Sequence, residues 1–225
     1  MNKILKVQAI LFLVFISGIQ GQNYFEGQIE YKIDYEPINP NIPKNYLSTE
    51  LGDTFTAFVK EDRYAMIYHG KGELGWMKII VRLDQGYSYT EYEKKDTITK
   101  TKFGLEKEKL LEFNHNLDDQ KKVLGELCES ITINYQPLGS EAFFETFRGK
   151  YYFNPKYKLN PKLYESYTDG FWHLFVKESN SISIRNETEF FPLFKTIQEA
   201  ISINEKEIPL KMFEPNSSKV IIEKK

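Results

Sequence analysis

The chain has 225 residues, of which 41% are hydrophobic and 15% aromatic, and its formal net charge is −2. A composition this apolar excludes a disordered chain, and the near-neutral charge excludes the basic surface that nucleic-acid binding requires. The single cysteine, Cys128, excludes an internal disulfide, so core packing alone must stabilise the fold.

The N-terminal segment has the layout of a secretory signal peptide. Lys3 and Lys6 precede an apolar run over residues 7–16, and small residues follow up to Gly21. The run is shorter than a membrane span requires, so we predict a signal peptide over residues 1–21 and a periplasmic or secreted product. Residues 22–225 are expected to form a single β-rich domain with no transmembrane segment. No cysteine lies near the cleavage site, which argues against a lipid anchor.

The first predicted strand covers residues 24–36. Apolar and polar side chains alternate there, which is typical of a half-buried strand. One face carries Phe25, Ile29, Tyr31, Ile33 and Tyr35.

Alternation of the same kind predicts a series of further strands, over residues 54–59, 64–68, 77–84, 87–89 and 131–136. Turn residues lie between them at 69–72 and 84–86, at the short spacing of an antiparallel meander. Ile80 breaks the alternation of its segment, which indicates a strand covered on both faces.

The middle of the chain has two interpretations. Residues 105–113 and 117–128 carry apolar side chains at helical spacing, but Gly125 interrupts the pattern and favours a strand, a turn and a strand. Residues 154–161 contain two prolines and are predicted to leave the sheet, with a short helix at 161–167. Later strands are predicted over 171–176, 181–185, 190–203 and 220–222. The segment 190–203 could also form a helix, and we favour the strand.

The sequence contains no recognisable catalytic constellation. We find no nucleophile elbow, phosphate-binding loop or zinc-protease motif, and His69, His115 and His173 have no metal-ligand spacing around them. The acidic pair Glu187 and Glu189 is interpreted as solvated strand charge. We therefore expect a protein that is not an enzyme and has no cofactor or metal site.

The aromatic residues are the remaining candidates for a ligand site. Most of the 34 should fill the core, and the surplus could line a groove for an apolar ligand. The candidate ligand-binding residues are Tyr31, Tyr64, Trp76, Tyr89 and Trp172. Asn186 and Asn216 each begin a glycosylation acceptor pattern, the use of which depends on the host.

Three segments resemble those of a known group of exported proteins. They are FEGQIEYKI at residues 25–33, KKVLGELC at 121–128, and AISINEKEIP at 200–209 followed by Phe213. In this order they resemble GLPGLI-type and related domains of unknown function from Gram-negative bacteria, which are similar to the LolA and LppX lipoprotein-carrier superfamily. The resemblance implies a mainly β (α+β) fold: a strongly curved antiparallel sheet or unclosed barrel around a few short helices. It also implies an apolar concavity for acyl chains, no catalytic residues, and extended structure over residues 124–135.

Three functions follow in order of preference. The first is an exported non-enzymatic binding protein that carries a lipid or other apolar molecule in the concave face of its sheet. The second is a cell-envelope module with a filled core that contacts another envelope protein. The third is a hydrolase of unrecognised type, for which His69 or His173 bonded to a carboxylate in a deep cleft would be the sign.

Overall fold

The computed structural model describes residues 24–139 and 142–224, so the predicted signal peptide lies outside the described residues. Within these described ranges, twelve strands form one curved, unclosed sheet, which confirms the predicted fold class. In chain order they are β1 (Gly27–Pro37), β2 (Thr54–Lys60), β3 (Arg63–Tyr68), β4 (Met77–Arg82), β5 (Tyr87–Tyr92), β6 (Thr97–Lys102), β7 (Glu108–Val123), β8 (Glu126–Pro137), β9 (Thr146–Lys158), β10 (Ser181–Phe191), β11 (Phe194–Glu205) and β12 (Val220–Lys224).

The first strand lies in the middle of the sheet. The spatial order is β12-β6-β5-β4-β3-β2-β1-β11-β10-β9-β8-β7, so β1 joins the meander β2–β6 to the meander β7–β11. Neighbouring strands are antiparallel except β12, which pairs parallel to β6. The two edges, β12 and β7, do not pair with each other.

The alternation of β1 determines which face forms the core. Ile29, Tyr31, Ile33 and Tyr35 are all at most 5% exposed, and their polar neighbours point to the other side. The Tyr31 ring stacks on Phe55 of β2 with a centroid distance of 4.3 Å. We call the side of the sheet that carries Tyr31 and Phe55 the concave face.

Short helices cover the concave face. They are α1 (Lys44–Leu51), α2 (Pro161–Tyr164) and α3 (Trp172–Ser179), with a 3-10 turn at Asp169–Phe171 before α3. Asn160 caps α2 by accepting a hydrogen bond from the Lys162 N–H, and Pro161 occupies the first helical position. Phe175 and Val176 of α3 are fully buried. No helix in the described ranges is long and apolar enough to span a membrane.

A second, smaller core lies on the opposite face of β3–β6. Ala65, Ile80 and Ile98 are fully buried there beneath Ile208 and Phe213 of the C-terminal segment. The segment contains a 3-10 turn at Leu210–Phe213. The prediction from Ile80 that its strand is covered on both faces is confirmed.

The ambiguous middle of the chain is extended, as predicted. The strands β7 and β8 form a hairpin, and its two turn residues, Leu124 and Gly125, both have positive φ, which is the geometry of a type I′ turn. Cys128 follows the turn and is fully buried, and burial raises the pKa of its thiol. The strand preference for residues 190–203 is also confirmed, since they form the end of β10 and β11.

Two predictions in the second half are wrong. Residues 171–176 do not form a strand, because left-handed backbone at Gly170 and Phe171 turns the chain into α3. The buried side chains of α3 then follow helical spacing, at Phe175, Val176 and Ser179. Residues 154–158 do not leave the sheet, because β9 continues to Lys158. The helix predicted at 161–167 is present as α2 but ends at Tyr164. The sequence analysis did not predict α1 or β6.

Candidate functional site

A cavity of about 320 Å³ lies between the concave face and the segment that holds α2 and α3. Its walls come from both halves of the sheet, β1–β4 and β8–β11. This volume lies at the lower end of the range for small-molecule sites. The curvature of the sheet brings the two halves together, and the helices close one side.

The cavity lining is mostly apolar. The side of β2–β4 contributes Phe55, Ala57, Val59, Met66 and Ile79, and the helical segment contributes Tyr164, Tyr167 and Trp172. Ala57 is the smallest side chain on this side of the lining.

Tyrosine hydroxyls add polar points to this lining. The Tyr31 hydroxyl donates to the backbone oxygen of Ser183 at 2.8 Å, and the Tyr64 hydroxyl donates to the Tyr167 hydroxyl at 3.1 Å. Burial raises the pKa of Tyr68 to about 12 and also raises the pKa of Tyr31 and Tyr64. These hydroxyls therefore stay neutral at physiological pH and act as hydrogen-bonding groups without charge.

A short polar ladder crosses β10 and β11 within the cavity. The Ser183 hydroxyl donates to Asn186 Oδ1 at 2.5 Å, and Asn186 Nδ2 donates to Gln198 Oε1 at 3.1 Å. Beside them the Thr188 and Thr196 hydroxyls lie 2.7 Å apart. The ladder places amide groups in otherwise apolar surroundings, where their hydrogen bonds have strong consequences.

Two carboxylates lie beside the cavity, close to Gly170. Glu108 accepts a hydrogen bond from the Gly170 N–H at 2.8 Å. Burial raises the pKa of both Glu108 and Asp169. Burial also raises the pKa of Tyr151, and the negative charge of Glu108 adds to that shift. Glu108 is thus within electrostatic reach of the cavity lining.

The five predicted ligand-binding residues divide into two groups. Tyr31, Tyr64 and Trp172 line the cavity together. Trp76 and Tyr89 do not: Trp76 lies under the Lys219 ammonium at 5.3 Å, and Tyr89 packs in the second core with its hydroxyl on Gln85. Sequence reasoning missed Tyr68, Tyr151, Asn186 and Gln198, although the first two belong to alternating or aromatic segments.

The histidines are dispersed over the fold. His69 Nε2 lies 3.0 Å from the Thr56 hydroxyl, and His173 Nδ1 is buried with no hydrogen-bond partner among the described residues. His115 lies between Glu129 and Glu178, with 3.0 Å to each carboxylate, and links β7 to β8 and α3. Within residues 24–139 and 142–224, no cluster of three or more His, Cys, Asp or Glu could hold a metal ion.

The two glycosylation patterns lie in different surroundings. Asn186 lines the cavity, and its amide is engaged by Ser183 and Gln198. Asn216 is exposed and caps its own turn by accepting from Ser218. A glycan on Asn186 would be incompatible with this packing.

A larger groove, of about 560 Å³, lies on the opposite face of the same strands. Its charged side chains pair with each other: Arg148 contacts Glu189 at 2.9 Å, Lys150 contacts Asp119, and Lys195 lies between Glu36 and Glu189. Charges that satisfy one another across strands are typical of a solvated face. The smaller apolar cavity is therefore the better candidate site.

Fold and site together define an open curved sheet with an apolar cavity in its concave face. No family model matches the chain, and no curated protein matches it. Among solved structures, it is similar to an uncharacterized conserved protein from Thermus thermophilus, with 5% identity, a TM-score of 0.46, and coverage of 97% of this chain and 99% of that one. It is also similar to a LolA superfamily protein from Nitrosomonas europaea, with 7% identity, a TM-score of 0.38, and coverage of 85% and 90%.

The second of these structures agrees with the LolA resemblance predicted from the sequence. Likenesses at such low identity and TM-score carry no conclusion about function.

Proposed function

We propose that this chain is an exported, non-enzymatic binding protein that carries a lipid or another apolar molecule in its concave face. The uncharged cavity of about 320 Å³ between the sheet and α2–α3 is the observation that supports the proposal. The signal-peptide pattern predicted over residues 1–21 supports a periplasmic or secreted location, with residues 22–225 as one binding domain.

The energetics favour an alkyl chain as the occupant. Each methylene group moved from water into an apolar site contributes about 0.8 kcal/mol, so a chain of several carbons would gain several kcal/mol. Phe55, Val59, Met66 and Ile79 offer continuous apolar contact for such a chain. The neighbouring tyrosines add area with a polar end, which suits an amphiphile.

The direct test is the content of the purified protein. The chain is expressed from its full sequence, purified from the periplasm or medium without detergent, and extracted with organic solvent for mass spectrometry. We expect a stoichiometric lipid in the extract. An empty extract, together with an unchanged emission of Trp172 on addition of lipids, would contradict the proposal.

Two neighbouring residues of β3 provide matched variants. Met66 lines the cavity, and Ile67 lies on the other face of the same strand. Met66→Trp should fill the cavity and reduce the bound lipid at least fivefold, because the occupant loses its space. Ile67→Trp should leave the lipid content unchanged. Equal lipid content in the two variants would place the ligand elsewhere.

A second candidate function, contact with another envelope protein, is supported by the edge strand β12. Its residues Val220, Ile221 and Ile222 are 64%, 48% and 54% exposed, and one side of the strand has no neighbour among the described strands of the sheet. An open apolar edge is suited to strand addition by a partner. Ile221→Lys should then abolish co-purification of a specific partner while the lipid content remains. Unchanged co-purification would argue against this function.

A further inference from the structure

We propose that the cavity selects neutral lipids that carry an oxygen acceptor, such as an ester carbonyl, over ionised fatty acids. This inference rests on the proposed function, because it concerns the ligand of the same cavity. Three features of the cavity support it: the absence of charge from its lining, the amide donors of Asn186 and Gln198, and the position of Glu108.

The first feature is the absence of charge from the cavity wall. Of the described residues that line the cavity, none is Asp, Glu, Lys, Arg or His; the polar ones are tyrosines, Ser183, Asn186, Thr188 and Gln198. A carboxylate head group drawn into this space would lose its hydration and find no positively charged side chain in the lining, which is strongly unfavourable. A neutral oxygen group loses much less hydration free energy on entering the cavity.

The second feature is the hydrogen-bonding capacity left over in the polar ladder. Gln198 Oε1 accepts from Asn186 Nδ2 at 3.1 Å, and Gln198 Nε2 carries two further N–H donors. Asn186 Nδ2 uses one of its two hydrogens in this bond, and both amide side chains line the cavity. Amide N–H groups at the cavity wall can donate to a ligand, and a carbonyl oxygen is a neutral group that accepts from them.

The third feature is the acidic pair next to Gly170. Gly170 lines the cavity, and its N–H donates a hydrogen bond to the Glu108 carboxylate. Asp169 lies next to it in the chain, and the pKa of both carboxyls is raised by burial. When ionised, either carboxylate would repel the head group of a fatty acid at this end of the cavity. Glu108 therefore adds a specific barrier against anions.

The experiment compares three probes of equal chain length in a Trp76→Phe variant, in which Trp172 is the sole tryptophan. They are decanoate, methyl decanoate and decyltrimethylammonium, titrated at neutral pH while the emission of Trp172 is recorded. We expect methyl decanoate to bind at least tenfold more tightly than decanoate, and decyltrimethylammonium also to bind more tightly than decanoate, because Glu108 and Asp169 attract a cation and repel an anion. Equal affinities of methyl decanoate and decanoate, or tighter binding of decanoate, would overturn the selectivity and leave the carrier proposal intact.

Two variants test the assigned groups separately. Gln198→Leu should weaken the binding of methyl decanoate about three- to tenfold, because the amide donor is lost. Glu108→Gln should strengthen the binding of decanoate and leave the affinity for methyl decanoate unchanged. If Gln198→Leu does not fold, Gln198→Met, which also lacks the donor, replaces it. Unaltered affinities in these variants would overturn the assignment. Binding of none of the three probes to the parent would instead contradict the proposed function, and the selectivity with it.

Discussion

The Tyr31 hydroxyl connects the two halves of the sheet, because it donates from β1 to the backbone oxygen of Ser183 in β10 at 2.8 Å. Tyr31→Phe should keep the stacking on Phe55 and lose this buried hydrogen bond, at a cost of about 1–2 kcal/mol in the free energy of unfolding. Urea unfolding followed by fluorescence measures the difference.

Tyr89→Phe is the matched control for this change. The Tyr89 hydroxyl contacts the side chain of Gln85 at 3.2 Å on the opposite face, so its removal should cost less than about 0.5 kcal/mol. A similar loss in both variants would mean that the Tyr31 bond has no special role.

For single residues, the alternation in the sequence explains why only part of the site was predictable. Alternation places Tyr31 and Tyr64 on the apolar faces of their strands, and both line the cavity. Tyr89 also alternates correctly, but it lies opposite Ile80, whose side chain belongs to the second core. Period-two spacing assigns side chains to a face; it does not reveal which face is concave when both are covered.

Among the elements, the C-terminal segment is held to β5 by a buried ion pair. Lys219 Nζ lies 3.2 Å from Glu91 Oε1, and the two side chains are only 10% and 2% exposed. Lys219→Met would leave the Glu91 carboxylate buried without its partner and should cost about 3–5 kcal/mol. The double variant Glu91→Leu/Lys219→Met should recover most of that loss.

The control for this pair is Lys32→Met. Lys32 contacts Asp34 at 3.0 Å, but these side chains are 59% and 51% exposed. The free energy of unfolding should therefore fall by less than about 1 kcal/mol in Lys32→Met. Unfolding in urea compares all three variants. A double variant as unstable as Lys219→Met would mean that Lys219 acts by packing and not by neutralising Glu91.

The element that sequence reasoning assigned wrongly is α3. Residues 171–176 are apolar enough for a buried strand, and short apolar runs fit either structure. What decides between them is the left-handed backbone at Gly170 and Phe171, which redirects the chain. Phe171 gives no local sign of that conformation, because bulky residues rarely adopt it. Packing of Phe175 against Tyr151 and Phe153 then stabilises the helix on the sheet.

For the whole molecule, the strands were predictable but their arrangement was not. Turn residues identify the local meander β2–β5, whereas the pairing of β1 with β11 joins Gly27 to Glu205 across most of the chain. Such contacts depend on the complementarity of complete faces and leave no local signal. The cavity has the same origin, since its volume is what remains after the two halves and α2–α3 have packed.

A ligand that occupies this cavity must also stabilise the folded molecule. Binding to the folded state alone contributes about 2.7 kcal/mol when the free ligand is at a hundred times its Kd. Saturating methyl decanoate should therefore raise the urea midpoint of the lipid-free protein, and the increase should be lost in Met66→Trp, in which the cavity is filled, and retained in Ile67→Trp. An equal increase in both variants would show that the ester binds outside the cavity, because Met66 lies in the cavity wall and Ile67 does not.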